Sequence, residues 1–136
     1  MLLAAALGAA CGLEREFRGY PAGVRTMALV CMGAALFADI STEFGGNDRV
    51  AAQIVSGIGF LGAGLIFREG GGIRGVTTAA TIWVVAAVGM AVAAELYIVA
   101  IAVTAVVVGL LELRVITKEV PAQDFENNGD SSASGG

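Results

Sequence analysis

This chain contains no histidine, and its two cysteines, Cys11 and Cys31, both sit in apolar runs. Their spacing matches no paired-cysteine motif, so neither a zinc centre nor a haem attachment is built from these residues. A thiol in such surroundings packs as a small hydrophobe. Charge is scarce as well: 15% of residues are Asp, Glu, Lys or Arg, against roughly 25% in an ordinary soluble domain. With 57% of the chain apolar, composition places it among integral membrane proteins. The net charge of −4 arises mostly from Glu119, Asp124, Glu126 and Asp130 near the C-terminus. It indicates neither a nucleic-acid partner nor an acidic ligand. No basic leader precedes the first apolar run, so no cleavable signal peptide is evident and the first helix is expected to direct insertion itself.

Apolar blocks run from Met1 to Leu13, Gly23 to Ala38, Val50 to Phe67, Val76 to Ala94 and Leu96 to Leu111. A crossing needs about 20 residues of helix for a hydrocarbon layer of roughly 30 Å. As one helix, Val76 to Leu111 would reach about 54 Å, which predicts a tight turn near Ala93 to Leu96. Met1 to Leu13 covers only about 20 Å. The expectation is that residues are missing before Met1, with local membrane thinning or a short interfacial helix as alternatives. The predicted fold is an all-α integral membrane protein, a compact bundle of about five transmembrane helices with the first short or truncated. Short connections make successive helices antiparallel neighbours, and the run Gly70-Gly71-Gly72 reads as flexible. Residues 1–118 form the transmembrane domain, and residues 119–136, with almost nothing to bury, read as a polar disordered cytoplasmic tail.

Of the eight bases in the chain, Arg15, Arg18, Arg25, Arg68, Arg74, Arg114 and Lys118 fall on one side of this topology and only Arg49 on the other. The positive-inside rule then puts the N-terminus outside and the C-terminus in the cytoplasm. Residues 57–62, Gly-Ile-Gly-Phe-Leu-Gly, formally match a dinucleotide fingerprint. They lack the preceding strand and an acid at the required distance, since Glu69 comes too early. The glycines read instead as packing devices: in lipid, small side chains let helix backbones approach. Ala52, Ser56, Gly59 and Ala63 form one stripe, Gly57 and Gly64 flank it, and Gly8 and Gly12 make a small pair on the first helix. The third helix is accordingly expected at the centre of the bundle or at the seam of a homodimer.

Polar groups inside apolar blocks are costly and face a partner or a wet cavity. Arg25 and Thr26 in the second block, and Gln53 and Ser56 in the third, are read as interhelical hydrogen bonds, with an ion or ligand path as the alternative. Glu14, Arg15, Glu16, Arg25, Thr26, Arg68, Arg74, Thr77 and Thr78 collect at the cytoplasmic helix ends. They outline a recognition surface, or a set of salt bridges that satisfies itself. Asp39, Glu43 and Asp48 fall on the outer face, where three carboxylates suit a hard cation such as magnesium or simply face water. No nucleophile and base pair and no cofactor motif is apparent, so no enzyme and no cofactor are expected.

The strings themselves carry a resemblance. Gly12-Leu13-Glu14-Arg15-Glu16, Ala22-Gly23-Val24-Arg25-Thr26, the run from Asp48 through Gln53 and Ser56 to Gly64, and Arg74-Gly75-Val76-Thr77-Thr78-Ala79-Ala80-Thr81-Ile82-Trp83 closely resemble the membrane domain of the MgtC/SapB family over residues 8–112. The resemblance implies a bacterial inner-membrane protein of about five helices. It implies a link, in the best-known branch, to magnesium limitation and survival inside phagocytes. Members of that branch look like regulators and not pumps, and restraint of the ATP synthase is one role they suggest. The chain departs from that branch in its short first helix and in carrying a tail where the soluble C-terminal domain would stand. The expected function is therefore a regulator acting through helix contacts with another membrane protein. A small ion or solute transporter conducting between the helices is the alternative.

Overall fold

Polar residues continue the first helix instead of ending it. In the computed structural model, which describes residues 1–45, 48–69 and 72–113, α1 spans Leu2–Phe17 and so takes in Glu14, Arg15 and Glu16. Glu and Arg are good helix formers, and Glu14 pairs with Arg18 one turn on at 2.6 Å. Gly19, at φ 70°, then reverses the chain: its N–H donates to the Glu16 carbonyl and that of Tyr20 to the Arg15 carbonyl, the paired bonds of a Schellman end. Helix α1 is about 24 Å long, longer than the apolar block alone suggested.

Helices α2 (Val24–Glu43) and α3 (Asp48–Ala63) follow. Next comes an antiparallel hairpin of β1 (Phe67–Glu69) and β2 (Gly72–Arg74), in the register Phe67↔Arg74, Arg68↔Ile73 and Glu69↔Gly72. The five-helix expectation holds, and the hairpin is a short addition to it: Gly72 belongs to a strand and not to a flexible run. Gly75 caps α4 at φ 90°, and a Cβ there would overlap the Leu65 carbonyl oxygen, so only glycine lets the hairpin fold back on the end of α3. Helices α4 (Val76–Ala93) and α5 (Tyr97–Leu113) meet at the expected turn. Glu95 lies in the left-handed region at φ 61°, and Leu96 N–H donates to the Ala91 carbonyl at 2.9 Å. Residues 114–136, and with them Arg114, Lys118 and the expected tail, fall outside the described residues, as do the side chains of Asp48 and Arg68.

The central element is α4, which packs on α1, α2, α3 and α5. Its Ile82, Val85, Val88 and Val92 join Ala4, Cys11, Met27, Cys31, Ala35 and Ala100 in one buried core. Both thiols are free and buried. Between helices, backbone contact is closest around Cys31. A Cβ on Gly8 would lie 2.5 Å from the Met27 carbonyl oxygen and 2.7 Å from Cys31 Cβ, and one on Gly89 would overlap the Cys31 carbonyl. Gly12 meets α2 in the same way, 2.6 Å from Val24 Cα. The small pair on α1 is thus a helix seam.

The stripe on α3 is not. Ala52, Ser56, Gly57, Gly59, Ala63 and Gly64 are all exposed, and a Cβ on Gly57 or Gly59 would meet nothing within 4 Å. Helix α3 instead turns Ile54, Ile58 and Gly62 inward; Ile54 packs with Ala34 and Ala86, and Gly62 lies against Ala79. Its position is at the edge of the bundle, because bulky isoleucines fill the gap to α4 better than the small face would. In the isolated chain, Gly89→Ala should cost about 1–3 kcal/mol through overpacking. Gly59→Ala should be neutral or stabilise by about 0.5–1 kcal/mol. Thermal melts of the two variants in detergent check this.

Candidate functional site at the polar helix ends

The end of α1 carries charge into the bundle. Arg15 is 1% exposed, and its Nη2 donates to the Thr78 hydroxyl in the first turn of α4. Its guanidinium carbon sits 4.1 Å from the centroid of the Tyr20 ring, a cation–π distance. One residue earlier, Glu14 is buried as well. Its Oε1 meets Arg18 Nε at 2.6 Å, while Oε2 is buried with no hydrogen-bond partner among the described residues. Arg18 also reaches α5, with Nη2 2.8 Å from Glu112 Oε2.

Glu16 faces the other way, toward α2. Its Oε2 accepts from the Val24 N–H at 2.8 Å. There a carboxylate satisfies one of the orphan donors of a helix start and complements the helix dipole. The approach requires Gly23, whose Cβ would lie 2.6 Å from that oxygen. A single turn of α1 therefore ties together the ends of α2, α4 and α5.

Of the residues named from sequence, Glu14, Arg15, Glu16 and Thr78 meet in this network. Arg25 and Thr26 instead point outward from the first turn of α2. Arg74 is exposed on β2 and Thr77 half-buried beside Thr78, so these four form a rim around the network. Gln53 is exposed and lines an apolar groove between α2 and α3 with Leu29, Gly33, Phe37 and Gly57, far from the charged end. Asp39 and Glu43 come at the C-terminal end of α2, and no group of three carboxylate, thiol or imidazole side chains converges among the described residues. Sequence reasoning missed Arg18, Tyr20, Gly23 and Glu112 as members. The Glu14-to-Arg18 spacing was the legible signal; Glu112, distant in sequence, offered none.

Chemically, the site is a set of matched charges and hydroxyls closing one end of an apolar bundle, with bases and threonines on its rim. Arg18→Gln removes the centre of two ion pairs and leaves Glu14 buried without its cation, which should cost about 3–5 kcal/mol. Glu112→Gln touches a side chain that is 58% exposed and should cost under about 1 kcal/mol, with the loss vanishing in high salt. Melts at low and high ionic strength separate the two.

Comparison with known proteins finds a match to the model of the MgtC family over residues 1–119. The protein named MgtC of Brucella abortus (strain 2308) is 58% identical over 87 residues, 62% of this chain and 37% of that protein. The protein of the same name from Salmonella typhimurium (strain LT2) is 53% identical over 92 residues, 66% of this chain and 40% of that protein. The chain thus matches well under half the length of these relatives. No solved structure matches it.

Proposed function

This chain belongs to the MgtC family, and from that premise we propose that it is a multi-pass protein of the bacterial inner membrane. We further propose that it regulates another membrane protein through its polar helix ends. Helices α2 and α4 are long and apolar enough to cross a membrane, and α3 and α5 are shorter apolar helices. The outer surface supports the same reading. Leu29, Phe37, Phe60, Trp83, Val106 and Leu110 are all more than half-exposed, a belt that suits lipid and would aggregate in water. In this reading the rim of Arg25, Thr26, Arg74 and Thr77 is cytoplasmic, by the distribution of bases.

The observation that carries a regulator over a transporter is where the polar groups are. Away from the helix ends, the buried polar side chains described are Thr81 and Thr104. Each donates to a carbonyl of its own helix, Thr77 and Ala100 respectively, so neither offers an open group to a passing ion. Charge lies at the helix ends instead, and at the end that carries Arg15 and Arg18 the rim suits recognition of an acidic or hydroxyl-bearing surface. The family resemblance names the ATP synthase as the partner to test first. It also carries the expectation that growth in low magnesium depends on the protein.

Two measurements test this. Pro21→Cys and Phe44→Cys place exposed thiols at opposite ends of α1 and α2. In intact cells an impermeant reagent should label Phe44→Cys, and reach Pro21→Cys only after permeabilisation; the reverse pattern overturns the orientation. Crosslinking from native membranes should capture ATP synthase membrane subunits with the intact chain. Arg25→Ala should lose that capture with an unchanged melting temperature. Normal capture by Arg25→Ala would defeat the rim as the recognition surface, and ion flux in proteoliposomes would favour transport.

A further inference from the structure

The apolar height of the bundle is less than that of an ordinary bilayer. Helix α3 has 16 residues and α4 has 18, so they rise about 24 and 27 Å, against roughly 30 Å of hydrocarbon. Charge narrows the span further on two other helices. On α2 the exposed Arg25 and the half-buried Asp39 stand about 21 Å apart along the axis. On α5 the exposed Tyr97 and Glu112 stand about 23 Å apart. Neither carboxylate can move to a more distant headgroup layer, because an Asp side chain is short and Glu112 is held by Arg18 at the charged end of α1. The central helix cannot lengthen either: α4 is closed by Gly75 at one end and by the tight turn at Glu95 at the other. Tilt would only lower the height.

From these spacings we infer that the bundle is matched to a hydrocarbon layer of about 21–27 Å and gathers phospholipids with short acyl chains around itself. This rests on the membrane reading above and adds to it the chain length of the lipid that lines the outer belt. In a thicker layer, either the carboxylates at the helix ends lie below the headgroups or the lipid compresses at the protein surface. Both are unfavourable, the second by a modest amount for each ångström of mismatch. Short-chain lipid removes that cost. Because α2, α3 and α5 all pack on α4, the short height is met on several faces of the bundle. Snorkelling by a single long side chain, such as Arg25, does not relieve it.

Trp83 is the only tryptophan of the chain; it is 51% exposed and near the middle of α4, so its fluorescence reports the lipid it touches. The full chain is reconstituted in dibrominated dioleoyl phosphatidylcholine, which quenches tryptophan on contact. Dimyristoleoyl, dioleoyl or dierucoyl phosphatidylcholine is then added as competitor. The short-chain lipid should relieve quenching best, with binding at the protein roughly twofold or more above that of dioleoyl phosphatidylcholine, and the long-chain lipid should relieve it least. Val106→Trp with Trp83→Phe gives a second reporter on α5 and should rank the three lipids in the same order. Absence of quenching at both reporters would mean that the membrane reading itself fails. Quenching at either reporter with equal relief by the three competitors would overturn the match to a thin bilayer and leave the membrane reading in place. A preference for dioleoyl or dierucoyl lipid would overturn it in the same way. Opposite orders at the two reporters would also overturn it, since the height belongs to the whole bundle.

Discussion

The fold depends on how closely three backbones approach at Cys31. On one side Gly8 of α1 brings that helix against the Cys31 side chain, and on the other Gly89 of α4 brings its axis onto the Cys31 carbonyl. Any side chain at either glycine would prop the helices apart. Dispersion falls off steeply with such a gap, and between helices in lipid it is a main attraction left once the hydrophobic effect no longer distinguishes protein from solvent. With α2 held in this way, the C-terminal turn of α1 comes to the first turn of α4. That is what lets Arg15 reach Thr78 and Arg18 reach Glu112.

The charged end follows from the same closeness. A guanidinium withdrawn from water needs its donors used, because burial of an unpaired charge is severely unfavourable. Here the Thr78 hydroxyl takes Arg15 Nη2 and the Tyr20 ring covers the guanidinium, while the buried Nε makes no hydrogen bond among the described residues, and two carboxylates share Arg18. Glu16 spends its carboxylate on the start of α2. The helix ends are thereby fixed relative to one another, while Arg25 and Arg74 are left on the rim. Division into a buried tie and an exposed rim gives this end of the bundle a defined shape, which loose salt bridges would not supply.

Much of this was legible in the sequence, for particular reasons. Glycine marked the starts of α2 and α4, while charge did not end α1 or α2, which run on to Phe17 and Glu43; the turn at Glu95 was forced by length alone. The small pair Gly8 and Gly12 lies on the seam with α2, where a Cβ at either would meet that helix's backbone. The α3 stripe did not put that helix at the centre of this chain's bundle, because the helix has two stripes at helical spacing, one of isoleucines with Gly62 and one of small residues; the homodimer seam is the alternative that an exposed stripe leaves open. Sequence spacing cannot say which of them meets α4. The hairpin was hidden by its glycines, which read as flexibility although Gly72 pairs in a strand with Glu69. Gly89 stood alone in an apolar run, with nothing to mark it as the closest contact in the bundle.

The central claim is that the buried end of α1 is bonded to α4 through Arg15 and Thr78, and a double-mutant cycle measures that bond most directly. Arg15→Met, Thr78→Val and the double variant would be melted in detergent beside the parent chain. A charged hydrogen bond in a dry site predicts a coupling of about 1.5–3 kcal/mol between the two positions. Additive losses, with coupling within about 0.5 kcal/mol, would contradict it, and would mean that the two helix ends lie side by side without holding each other.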